Sequence, residues 1–166
     1  MSLWMPLYES NPEASKSLIA TFFKVFPNGI IWSNDDNREG YDAVLLGQAD
    51  PAPLDVDRLH DRLSRQDHER VRQSLDEVGF RSLVSLFATF AGQASDMSEW
   101  TKDAQINTDR NLRLQYLAGL WLNANEASKT LNEILKCRKF PDQLFTGSES
   151  RLKMLKLAFD PNAKTK

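Results

Sequence analysis

The sequence has one cysteine, Cys137, two histidines, and no apolar run long enough to span a bilayer. A single thiol excludes an internal disulfide and fits a reducing compartment, so the expected location is the cytoplasm. With His60 and His68 the only histidines and Cys137 the only thiol, the sequence holds no close-spaced ligand set, and no metal site is expected. The seven glycines form neither a dinucleotide-binding GxGxxG run nor a phosphate-binding loop, so no nucleotide cradle is announced. A GxSxG nucleophile elbow is missing as well. No block of one charge stands out: 21 basic and 23 acidic side chains leave a formal charge of -2, which argues against nucleic acid as a partner. Without a membrane span or a basic-then-apolar leader, no membrane partner is expected of this chain.

What remains is a chain of 166 residues, 41% apolar and with nine phenylalanines, enough for a sizeable core. Its strongest punctuation is the pair Pro51 and Pro53 in "ADPAPLD", which divides residues 1–50 from a helical remainder at 51–166. The first part reads as a strand at Trp4 to Tyr8, with Pro6 marking an edge or a strand end. A helix follows, capped by Asn11 with Pro12 at its first position and striped by Leu18, Ile19, Phe22, Phe23 and Phe26. "GIIW" and "YDAVLLGQ" then form a hairpin, and Val44-Leu45-Leu46 suggests a second strand buried on both faces. In the second part Asp55 can cap a helix carrying Val56, Leu59 and Leu63, and another near 67–78 carries Val71, Leu75 and Val78. Phe80, Leu83, Val84, Phe87 and Phe90 recur at helical spacing up to Gly92, and Ser95 can cap a short helix with Met97 and Trp100. Further helices are expected at 125–138 and 148–159. The fold class predicted is α+β, mostly α, with a small sheet remnant packed on a C-terminal helical region.

Two polar stretches invite a chemical reading. Asp35, Asp36 and Glu39 precede Gly40 and Tyr41 in the hairpin loop. Carboxylates beside an aromatic face are what a cationic amine needs, charge pairing at one end and cation–π contact along its body. The same residues also suit a solvated turn. The second stretch, "NTDRN" at 107–111, runs into an apolar segment; Thr108, Asp109 or Asn111 can cap a helix there, with Tyr116, Leu117, Leu120 and Trp121 as its buried face. Cys137 stands between Lys136 and Arg138, which could lower a thiol pKa, although a structural or incidental cysteine near a helix end is the favoured reading.

The run "FFKVFPNGIIWSN...EGYDAVLLGQ" resembles the closing segment of the catalytic domain of spermidine synthases, the polyamine aminopropyltransferases. In that family the last helix ends in a Val-Phe-Pro-like sequence, and two strands follow across a loop that ends in Gly and an apolar or aromatic residue. Val25-Phe26-Pro27, Ile30-Ile31-Trp32 and Gly40-Tyr41 occupy those places, and "WMPLYES" matches the end of the preceding strand. Asn107-Thr108-Asp109 and Leu114-Gln115-Tyr116 resemble the outline of a tail motif of larger spermidine synthase-like proteins. Arg110 stands where that motif has a second acid, and Gln115 where it has Glu.

The resemblance implies that Tyr41 helps to wall a polyamine pocket, with Asp35 and Asp36 added on charge grounds. It also implies that the family's co-substrate, decarboxylated S-adenosylmethionine, and its catalytic carboxylate belong to a region upstream of the matched segment. No catalytic residue and no cofactor are therefore expected in this chain. The expectation is a non-catalytic C-terminal part of a spermidine synthase-like protein, a portion of a longer chain, whose partners are a polyamine and either the missing N-terminal catalytic region or a second copy. The rival expectation is a helical protein–protein interaction module with no small-molecule site, docking through the helices at 80–138.

Overall fold

A computed structural model describes residues 1–8, 10–34, 40–120 and 126–159, with 118–120 described by their backbone alone. Asp35, Asp36, Glu39 and Trp121 lie outside the described residues. In chain order the elements begin with β1 (Ser2–Pro6), α1 (Pro12–Val25), β2 (Ile30–Ser33), β3 (Asp42–Leu46) and β4 (Leu54–Asp55). Next come α2 (Val56–Leu63), a 3-10 turn at Gln66–His68, α3 (Glu69–Glu77), α4 (Leu83–Phe87), β5 (Phe90–Gln93) and α5 (Ala94–Met97). The chain closes with α6 (Arg113–Leu120), α7 (Ala127–Cys137), β6 (Phe145–Thr146) and α8 (Glu149–Phe159). The fold is α+β and mostly helical. None of the described helices is long and apolar enough to cross a membrane.

Two compact units share the chain, and their boundary differs from a single cut near Pro51. The first takes Met1–Pro51 and Phe90–Lys139, the second Ala52–Thr89 and Phe140–Lys166. The reason lies in Phe90, whose spacing from Phe87 suits a helix but which forms strand β5 beside β2. That pairing brings residues 90–139 to the first unit.

In the first unit the sheet order is β1-β3-β2-β5, every neighbouring pair antiparallel. Since β3 opposes both β1 and β2, those two strands run parallel, joined through α1. Helix α1 starts as its residues dictate: the Asn11 side chain accepts from the Ala14 N–H at 2.8 Å, and Pro12 opens the first turn. One sheet face meets the helices. Met5, Ile31, Ala43 and Leu45 pack there with Ile19 and Phe22 of α1 and Leu131 and Ile134 of α7. At Gly92, φ is +155° and an added Cβ would lie 2.3 Å from Met97 Cε, so the β5–α5 turn admits only glycine without repacking.

The opposite face is barer. Strand β3 alternates rather than being buried on both sides: Ala43 and Leu45 point inward, while Val44 is exposed next to Trp4 of β1. Strand β1 is an edge. Met1 and Gly47 exchange both backbone hydrogen bonds and the Leu7 N–H donates to Tyr41 O, so odd-numbered residues face β3. Ser2 and Trp4 therefore turn their N–H and C=O groups outward, and Pro6 turns out a carbonyl alone.

The second unit is built on aromatic rings. Phe145 of β6 packs on Phe87, Phe140 and Phe159 with centroid distances of 5.3, 5.9 and 6.3 Å. Asp55 caps α2 by accepting from the Arg58 N–H at 2.9 Å, as its position predicts. Asp57 Oδ1 accepts from Ser148 Oγ at 2.9 Å and from Arg151 Nε at 3.0 Å, tying α2 to the start of α8. Helix α3 buries none of its residues, so the stripe Val71, Leu75 and Val78 is not a core face.

Candidate functional site

Three residues gather where the parallel strands β1 and β2 end: Tyr8, Asn34 and Tyr41. The local structure fixes Tyr41 through its backbone. Its N–H donates to Asn34 Oδ1 at 3.2 Å, and its carbonyl accepts from the Leu7 N–H at 2.7 Å. Asn34 Oδ1 also accepts from the Asp42 N–H at 3.1 Å. Gly40 leaves room for this arrangement: an added Cβ would stand 2.9 Å from Asn34 Oδ1 and 3.0 Å from Leu131 Cδ2.

With its backbone held, the Tyr41 ring projects to solvent at 58% exposure. It meets Tyr8 at a centroid distance of 6.3 Å, and Tyr8 meets Trp4 at 6.3 Å, so three rings form a row. Trp4 is 55% and Tyr8 38% exposed. Asp42 follows Tyr41 directly, and its Oδ1 is buried and finds no hydrogen-bond partner among the described residues. Of the residues expected to bind an amine, Tyr41 is described here, and Asp35 and Asp36 fall outside the described residues. Tyr8 and Trp4 were missed by sequence reasoning. Their only signal was aromatic density in "WMPLY", which reads equally as a buried strand.

The other polar stretch has a different character. The Asn107 N–H donates to Thr21 Oγ1 at 2.8 Å, and Ser17 Oγ donates to Gln105 O at 2.6 Å, so the knot is fastened along α1. Asn107 Oδ1 accepts from the Leu114 N–H at 2.8 Å and Asn111 Oδ1 from the Arg113 N–H at 3.2 Å. Helix α6 is thus capped by Asn107 and Asn111 rather than by Thr108 or Asp109. Just after Asn111, Leu112 adopts φ +46°, an unusual conformation for a branched apolar residue. Leu117 is buried as expected, but Tyr116 is 71% exposed.

A cleft of about 450 Å³ opens beside the knot, lined in part by Glu13, Lys16, Asp103, Arg113, Lys129 and Glu133. Its charges are already engaged within the protein. Lys16 pairs with Asp103 at 3.6 Å and Lys129 with Glu126 at 3.2 Å, while Arg113 pairs with Glu13. Glu133 Oε2 accepts from Trp100 Nε1 at 3.0 Å. This is a brace of ion pairs rather than a set of groups awaiting a ligand.

Cys137 does not carry the depressed pKa that Lys136 and Arg138 would suggest. Burial pushes its thiol up, and the carboxylates of Asp96 and Glu133 add to that, which makes it a poor nucleophile. Asp96 is raised chiefly by burial, against the opposing Gln93 N–H and Lys139. His60 is exposed. No three metal-ligating side chains come together among the described residues. The turn between β1 and α1 carries no glycine, and at the helix start the Asn11 side chain is occupied by the Ala14 N–H. Comparison with protein-family models, with curated proteins and with solved structures found no match.

Proposed function

We propose that this chain is the non-catalytic C-terminal part of a spermidine synthase-like protein, and that its Tyr41 end forms one wall of a polyamine pocket. The observation that carries this reading is the gathering of Tyr8, Asn34 and Tyr41 at the carboxyl ends of the parallel strands β1 and β2. Strand, helix and two further strands follow in the order that the resemblance implies, with α1 ending at Val25 and β2 opening at Ile30. Exposed rings suit a cationic amine, since the ring face attracts the ammonium group and the methylene body lies against apolar carbon.

Calorimetric titration of the chain with putrescine and spermidine, at low and moderate salt, tests the proposal. Saturable binding is expected, weakened several-fold by Tyr41→Ala while the circular dichroism spectrum is unchanged; each exposed cation–π contact contributes about 0.5–1 kcal/mol. A folded sample that takes up no amine would refute it.

A second reading rests on a separate observation, the outward edge of β1. Unpaired strand edges accept another strand, and the segment "SLWMPLY" has no charged side chain to repel an identical copy. On this reading the chain associates with itself through β1, in place of the docking surface expected on the helices at 80–138. Light scattering across a concentration series decides it: a monomer throughout rejects self-association.

A further inference from the structure

Resting on the polyamine reading above, we propose that the ring row measures chain length, so that Trp4 selects triamines over diamines. The two ring spacings are equal, 6.3 Å from Tyr41 to Tyr8 and 6.3 Å from Tyr8 to Trp4. Three or four methylenes at about 1.5 Å per bond, with tetrahedral angles, hold neighbouring ammonium groups roughly 5–6 Å apart. That interval matches the step along the row, and a cation within about 6 Å of a ring centroid is attracted to its face. A diamine therefore spans one step of the row, whereas a triamine spans both and engages Tyr41, Tyr8 and Trp4 together.

The neighbouring rings are tilted by 55° and 58°, so they do not stack face to face, and each stays open in part to solvent. Trp4 stands on the bare sheet face, opposite Val44 of β3. Indole is also the strongest of the three ring types as a cation acceptor, so the end of the row has the largest single effect.

The test compares putrescine with spermidine on the wild-type chain and on Trp4→Ala and Trp4→Phe, by calorimetry near physiological salt. Wild type is expected to bind spermidine roughly three-fold more tightly than putrescine, the effect of one exposed cation–π contact. Trp4→Ala should erase that preference by lowering spermidine affinity more than putrescine affinity. Trp4→Phe, which keeps a ring and guards against a folding defect, should retain part of it. Neither substitution alters charge, so a preference owed only to the third charge would survive both variants and overturn this inference alone. If the wild-type chain binds neither amine, the polyamine reading itself falls, and the length rule with it.

Discussion

The knot at 104–114 and the ring row at Trp4, Tyr8 and Tyr41 lie in the same unit, and both draw attention as possible ligand sites. They differ in what their polar groups already do. In the knot, the side chains of Asn107, Asn111, Ser17 and Thr21 are hydrogen-bonded to nearby backbone groups, and the neighbouring charges are paired. In the row, the backbone of Tyr41 is held on both sides while its ring, and those of Tyr8 and Trp4, face solvent. A polar cluster that satisfies itself is scaffolding. A fixed backbone presenting unsatisfied surface is what a binding site requires.

That contrast can be broken by substitution. Asn107→Ala removes the cap acceptor for the Leu114 N–H and should cost about 1–2 kcal/mol in urea denaturation, with amine binding untouched. If amine affinity fell as well, the knot would belong to the site. Gly40→Ala should act on both properties: the new Cβ crowds Asn34 Oδ1 and Leu131, costing roughly 1 kcal/mol or more in stability. It should also weaken amine binding, because Asn34 positions Tyr41; an unchanged titration would show that the ring finds its place without that support.

Smaller effects sharpen the comparison. Arg113→Met breaks a partly exposed ion pair with Glu13 and should shift stability by no more than about 1 kcal/mol, less at high salt. A larger loss would mean that the cleft is more than a brace. The smallest effect concerns pH. Because burial raises the Asp96 pKa in the folded state, the native protein holds that proton more tightly than the unfolded chain does. Stability linked to Asp96 is present at low pH and falls as pH rises from the ordinary carboxylate value through the raised one. Asp96→Asn should flatten that decline above the ordinary carboxylate range in denaturant titrations, and identical pH profiles for the two proteins would contradict it.

Local signals carried much of this fold. Asn11-Pro12 started α1, and Asp55 capped α2 where it should. The hairpin of β2 and β3 followed from two β-rich runs around a polar loop. Failures came where tertiary pairing overrides spacing. Phe87 and Phe90 sit three residues apart, a helical interval, yet Phe90 is drawn into the sheet beside Trp32 with the rings edge-on at 5.8 Å. Val44 sits in an apolar run and still faces outward, since strand alternation is decided by what covers each face. The candidate site was half legible. Tyr41 came from family resemblance, whereas Tyr8 and Trp4 join it only once β1 is known to lie along β3.

The division of the chain between its units has a consequence for how the molecule is assembled. Each unit takes two separated stretches, in alternation along the chain, so neither can be completed by a contiguous segment. Strand β2 must wait for its partner β5, with Ile31 meeting Gly92 across the whole of the 52–89 insertion. The entropic cost of closing so long a loop grows only slowly with its length, but it is incurred before the contact gives anything back. During synthesis, β2 is therefore an open edge until residue 92 has emerged. A protease cut within 52–89 would leave every contact of the first unit intact yet turn its sheet into an intermolecular assembly, whose folding rate depends on concentration.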